Sequence, residues 1–224
     1  DTAERRFDKA LLDETRLAEA YVRHAETLKT IHDSDNTIKA YRRFVERHPK
    51  ASEAPGFLRR IGETYIALKA LGSAADAFKE LAESYPGAPE AATAHLSRIT
   101  CLYQSEAYEQ AYEEGAALCA AQPGHPNAAD LLLLRGLTEA ALKMDDQAAE
   151  TMREVETRYA SSTVAPQALL WRAGRALSSQ DYTEARNCFQ ALADRYPQSD
   201  AGQRAPEYLD RLSKMPRVEP RHES

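Results

Sequence analysis

The sequence predicts an all-α fold, a right-handed solenoid of five antiparallel helix pairs with a closing helix at the C-terminal end. Three columns of residues predict it. Thr37, Ala74, Ala111, Ala148 and Ala185 form one, Phe44, Leu81, Leu118, Val155 and Leu192 a second, and Pro49, Pro86, Pro123, Ala160 and Pro197 a third. Each step is 37 residues without insertion, and a period of roughly 20–50 residues marks units that bury their apolar faces against one another. Between columns, apolar residues recur at the three-and-four spacing of a helix face.

The second unit shows the pattern. Ser52 is placed to cap a first helix with Pro55 in its first turn, where a missing N–H costs little. Leu58, Ile61, Tyr65 and Leu68 form its apolar stripe. Gly72 breaks the stripe, and Ser73 with Asp76 reads as a capping box opening the second helix. That helix carries Ala74, Ala77, Phe78, Leu81 and Tyr85 and ends at Pro86-Gly87. The third unit repeats this from Pro89 to Ser105 and from Tyr108 to Ala121. The fourth runs from Pro126 to Lys143 and from Asp145 to Tyr159, the fifth from Thr163 to Ser179 and from Asp181 to Tyr196. Asp181 and Glu184 form another capping pair.

Pro206 to Leu212 read as a short closing helix and Pro216 to Ser224 as a frayed tail. Upstream, Tyr21, Ala25 and Leu28 occupy first-helix columns, so the first unit's opening helix runs to about Ile31. Phe7 lies one period before Phe44; it marks either the remains of a preceding second helix or, preferred here, one continuous long helix. The expected organisation is a single solenoid over residues 1–213 with a flexible tail over 214–224.

Composition narrows the function. The 224 residues are 43% hydrophobic and 29% charged, with a net charge of −6. No apolar run, Leu131 to Leu134 among them, approaches the roughly 20 residues that cross a bilayer. Net acidity argues against general nucleic-acid binding. Charge is uneven: from Thr37 to Arg60 seven bases face two acids, and from Ser105 to Ala160 eleven acids face four bases. Such asymmetry orients docking more than it sets affinity. Cys101, Cys119 and Cys188 share no short spacing and are expected to be free thiols on helix faces. The chain opens at Asp1 rather than Met, as a processed or excised chain would.

No Gly-rich phosphate loop, His-Glu-x-x-His, Gly-x-Ser-x-Gly or Cys-x-x-Cys is present in the sequence. His24 and His32 stand too far apart along a helix, roughly 12 Å, to share a metal. The expectation is therefore a non-enzymatic protein with no catalytic residues, metal or cofactor.

The ordered columns Leu58, Ile61-Gly62, Tyr65, Ala74, Phe78, Leu81 and Pro86 resemble the tetratricopeptide repeat. The last unit matches as well, with Leu169, Ala173, Gln180-Asp181-Tyr182, Ala185, Phe189, Leu192 and Tyr196-Pro197. The resemblance covers nearly the whole chain as five such repeats. The period of 37 instead of the usual 34, together with the Tyr-Pro joint, is similar to the tetratricopeptide proteins of the bacterial envelope, of the barrel-assembly lipoprotein and Tol–Pal coordinator type. There are departures. Arg98, Arg135 and Arg172 stand where an apolar residue precedes the glycine, Gly115 replaces an aromatic, and Ala160 replaces a proline. Loose packing in the third unit and a stiffer, more helical fourth joint are expected from the last two.

The resemblance implies a scaffold or adaptor that binds a protein or peptide on the faces of its first helices. Its setting would be periplasmic or outer-membrane-associated in a bacterium, with a lipid anchor possible upstream of Asp1. A cytoplasmic regulatory or assembly adaptor, or a solenoid that binds a lipid or metabolite, is the alternative. Carried over position by position, the first-helix places that meet a partner include Ile66, Leu96, Thr100, Tyr103, Leu133, Leu137, Leu170 and Leu177. Leu96, Tyr103, Leu133, Leu137, Leu170 and Leu177 form an apolar stripe, which meets a partner or is covered by the coiled solenoid or its terminal helix. Arg98, Arg135 and Arg172 join them under one reading, in which the three guanidiniums grip carboxylates or phosphates. Under the other reading their stems cover apolar neighbours while the heads pair locally, as Arg135 can with Glu139.

Overall fold

The computed structural model describes residues 19–24, 27 and 33–215. Residues 19–24 are helical, and ten longer helices follow: α1 (Ser34–Arg47), α2 (Ala54–Ala67), α3 (Leu71–Ser84), α4 (Pro89–Gln104), α5 (Tyr108–Ala121), α6 (Ala128–Ala141), α7 (Asp145–Arg158), α8 (Ala165–Ser178), α9 (Tyr182–Arg195) and α10 (Asp200–Ser213). No strand occurs among the described residues. The expectations that rest on Phe7, Ala25, Leu28 and Ile31, and on the tail from Pro216, lie outside them. The chain divides into two compact units, Asp1–Ala111 and Tyr112–Ser224, with the boundary inside α5.

In the first unit each helix packs on the next, α1 on α2, α2 on α3 and α3 on α4, and the first helices α2 and α4 also meet. The repeat columns are the core: Phe44, Leu58, Ile61, Ala74 and Leu81 are fully buried. Phe44 stacks within 4.3 Å of Phe57, and Tyr41 and Tyr21 complete the aromatic cluster. Gly62 lets α2 and α3 approach closely, since a Cβ there would sit 2.6 Å from the Phe78 ring.

The second unit repeats the scheme through α6, α7, α8, α9 and α10, with α8 also touching α10. Leu131, Met152, Val155, Ala173, Ala185, Phe189 and Leu192 are its buried columns. Gly136 faces Met152 as Gly62 faces Phe78, with 2.9 Å between a Cβ and the thioether methyl. Phe189 stacks flat on Tyr208 of α10 at 4.6 Å.

Helix boundaries are where the sequence misleads. Glu53, not Ser52, is the N-cap of α2, and no side chain caps that helix. The Ser52 hydroxyl bonds the Glu53 carboxylate instead. Gly72 does not interrupt the chain and Ser73 caps nothing: α3 already begins at Leu71 with Ala70 as N-cap. The turn is made one step earlier, by Lys69 at φ 58°. Glu106, Lys143 and Gln180 hold the same left-handed conformation one, two and three periods later. At each, the following residue bonds back five positions, as Ala70 N–H does to the Tyr65 carbonyl at 2.9 Å, which is a Schellman closure.

The fourth joint is not helical. α7 stops at Arg158, and Ser162 N–H bonds the Tyr159 carbonyl just as Ala88 bonds Tyr85 and Ser199 bonds Tyr196. The joint turn is held by that bond, so Ala160 forms it without proline's help. α10 is longer than Pro206 to Leu212. Ser199 caps it through Gly202 N–H, and Pro206 lies within it. By contrast, Asp181 caps α9 through Glu184 N–H at 3.0 Å, as its sequence position indicates.

Candidate functional site

The three repeat-register arginines all turn into the fold. Arg98 is 6% exposed, donates to the Ala75 carbonyl at 3.0 Å and lies 3.9 Å from Asp76. Arg135 donates through Nε to Glu139 at 2.8 Å, and Glu139 is fully buried one helical turn further along α6. Arg172 holds two carboxylates, Glu156 at 2.6 Å and Glu184. Burial pushes the Glu156 carboxyl above the usual carboxylate range, against the opposing pull of Arg172. Each guanidinium thus has an internal acceptor, and replacing one partner of a buried pair would leave the other charge stranded.

The first-helix places divide by exposure. In the first unit, Leu96, Thr100 and Tyr103 follow one face of α4 and are half-buried, while Ile66 on α2 is 39% exposed. Thr100 returns its hydroxyl to the Leu96 carbonyl at 2.8 Å, and the Tyr103 ring lies 5.5 Å from Tyr108. In the second unit, Leu133 is buried among Leu132, Met152 and Val155. Leu137 lies at the edge of that cluster, and Leu177 packs partly on the Leu169 and Phe189 cluster. Leu170 is 40% exposed. Trp171, beside it on α8, packs half-buried against the same edge as Leu137. The sequence reading passes over Trp171, although its being the sole tryptophan was an available signal for a contact residue.

The first unit also holds an open groove of about 500 Å³ between residues 19–24 and α2. Val22, Gly56 and Phe57 give it an apolar floor, and Arg23, Arg59 and Arg60 frame it together with Glu19 and Glu53. A Cβ on Gly56 would meet nothing within 4 Å, so the groove is open above that residue. This groove falls in the basic stretch recognised in the sequence, yet no single residue there announces a concavity.

The cysteines are free thiols, Cys101 and Cys188 buried and Cys119 partly so. Burial raises all three, Cys188 to about 11, so none has the thiolate character a nucleophile needs. Among the described residues no group of three potential ligands could hold a metal ion, and no helix is long and apolar enough to cross a membrane.

Comparison with known proteins agrees with these columns. Residues 58–169, half of the chain, match the family model described as Outer membrane lipoprotein, YfiO. Residues 22–89 and 167–199 match two models described as Tetratricopeptide repeat. No curated protein matches the chain. Solved structures do. A tetratricopeptide repeat protein from Parabacteroides merdae is 15% identical over 88% of this chain and 73% of that one, with a TM-score of 0.62. The apo form of RapI is 14% identical over 92% of this chain and 61% of its own, with a TM-score of 0.71. YrrB, described as a tetratricopeptide protein with an unusual peptide-binding site, is 17% identical over 90% and 97%, with a TM-score of 0.56. At such identities the likeness concerns the fold.

Proposed function

Because the chain belongs to the tetratricopeptide-repeat family, with half its length in the outer-membrane lipoprotein branch, we propose that it is a non-enzymatic scaffold that holds a protein or peptide segment in a bacterial envelope assembly. The observation that carries the reading is the pair Ile66 and Leu170. Each is an aliphatic side chain about two-fifths exposed on a first helix. The half-buried Leu96, Tyr103, Leu137 and Leu177 extend the same positions within their own units. The groove floored by Phe57 and framed by charges of both signs adds a concave place suited to a segment with apolar anchors. The match to the lipoprotein family supports the envelope setting, and the peptide-binding described for YrrB supports the class of ligand.

Photo-crosslinkers tell first-helix faces from second-helix faces. Placed at Tyr103, Leu137 or Leu170 in the protein's native cells, they should trap one common partner. Placed at the exposed Glu109 or Glu150 on second helices they should trap none. With the trapped partner purified, Tyr103→Ala/Leu137→Ala should weaken binding by at least about 2 kcal/mol. Equal crosslinking from both sets of positions, or unchanged affinity in a folded double variant, would remove these faces as the site.

A further inference from the structure

A cavity of about 280 Å³ lies in the second unit where α5, α6 and α7 converge, and the repeat explains its origin. In the first unit the corresponding seam is bridged by Arg42, which reaches from α1 to Glu80 on α3. Two periods later Arg42 becomes Ala116, whereas Glu80 becomes Glu154. The carboxylate persists and the arginine that would face it is gone. Glu154 pairs along its own helix with Arg158 instead, and Ala116, Glu154 and Arg158 all line the resulting space.

The cavity has a definite chemistry. Cys119, Leu131 and Leu132 form apolar walls, and among its charged side chains Arg135 and Arg158 outnumber Glu154. Arg135 engages Glu139 through Nε, and a guanidinium has four further N–H groups, on Nη1 and Nη2, in a fork that matches a carboxylate. Burial raises the Cys119 thiol, so that wall is neutral. The volume corresponds to about nine waters at about 30 Å³ each, just below the range of about 300–1,000 Å³ typical of small-molecule sites. It therefore suits one ring or a short chain with a head group. The cavity takes Leu131, Leu132 and Arg135 from α6, whereas the side chains proposed to meet the partner on that helix are Leu133 and Leu137.

We propose that this cavity binds a small organic acid, its aromatic or short aliphatic body against Leu131, Leu132 and Cys119 and its carboxylate on Arg135 and Arg158. Calorimetric titration of the full chain with 3-phenylpropionate and hexanoate, and with 3-phenylpropionamide as the neutral control, tests it. At least one acid should bind, and the amide should bind about tenfold more weakly, the usual advantage of a charged acceptor. Ala116→Arg restores the guanidinium facing Glu154. It should fold, melt no lower than the wild type and lose the acid. Ala120→Phe fills the space from a neighbouring wall and should lose it as well, which keeps the test open if either variant fails to fold. Arg158→Gln should weaken the acid without changing the response to the amide. No binding of either acid at millimolar concentration would overturn the proposal, as would equal binding of acid and amide or undiminished binding by a folded cavity-filling variant.

Discussion

At the scale of single residues, the 37-residue columns translate into packing with few exceptions. Phe78 and Gly62 are complementary, a ring lying where the glycine's missing Cβ would be. Phe78→Ala should cost roughly 3–5 kcal/mol in chemical denaturation, the range for emptying a core aromatic site. Gly62→Ala should also destabilise, by roughly 1–3 kcal/mol, because the ring must move. These positions were legible because the columns beside them, Ala74 and Leu81, recur at 37-residue steps. The left-handed turn positions were not. Lys69, Glu106, Lys143 and Gln180 share a positive φ but no residue type that advertises it, so the eye goes to nearby Gly72 instead. The left-handed region costs a non-glycine residue roughly 1–2 kcal/mol, partly offset by the entropy glycine loses on folding. Gln180→Gly should therefore raise stability by up to about 1 kcal/mol, and the β-branched Gln180→Val should lower it. A loss of stability in the glycine variant would mean that the Gln180 side chain contributes more than its backbone geometry costs.

At the scale of helices and joints, the repeating link is the tyrosine that ends a second helix. Tyr85 donates to the Pro49 carbonyl and Tyr196 to the Ala160 carbonyl, each at 2.8 Å and each reaching back 36 residues. These bonds tie the end of one second helix to the joint after the previous one, and they explain why Tyr-Pro recurs. The carbonyl that accepts is indifferent to whether proline or alanine carries it, so the joint at Ala160 is closed by the same bond and is not helical. Tyr196→Phe should cost about 1 kcal/mol, and Tyr85→Phe less, since its hydroxyl is exposed. α10 is a first helix in register. Gly202 and Ala205 stand one period after Ala165 and Ala168 and are buried like them. Asp210 then occupies the place of Ala173, where a small residue would seat another helix. Only its apolar second half was visible in the sequence, because Pro206 masks a continuous helix and its Ser199 cap.

At the scale of the whole molecule, the chain carries its ionic groups inside as well as outside. The arginine ladder was visible as an oddity of sequence, and so was Glu139, one turn from Arg135 on the same helix, but the acceptors of Arg172 were not, because Glu156 and Glu184 lie on different helices and only folding unites them with it. The same gap hid the cavity, which depends on Ala116 lacking a reach that Arg42 has. The closing helix protects the end of the second unit: ending the chain after Pro197 would uncover Phe189, Leu192 and their neighbours, which now pack on Ala205, Tyr208 and Leu212. Such a truncation should lower the melting temperature and promote self-association in sedimentation experiments. Glu156 also gives stability a pH dependence of known sign. Burial raises the folded-state pKa of Glu156 above its ordinary 4.5, with Arg172 opposing. A raised carboxyl pKa means that the folded state holds its proton more tightly than the unfolded chain does. Its contribution is fully present below about 4.5 and is lost as pH rises through the raised value. Glu156→Gln lacks this titration and keeps the size and the Arg172–Glu184 pair. The melting temperature of the wild type minus that of Glu156→Gln should accordingly be larger at pH 5 than at pH 7.5. A difference that stayed constant, or grew toward neutral pH, would mean that attraction to Arg172 outweighs burial at this site.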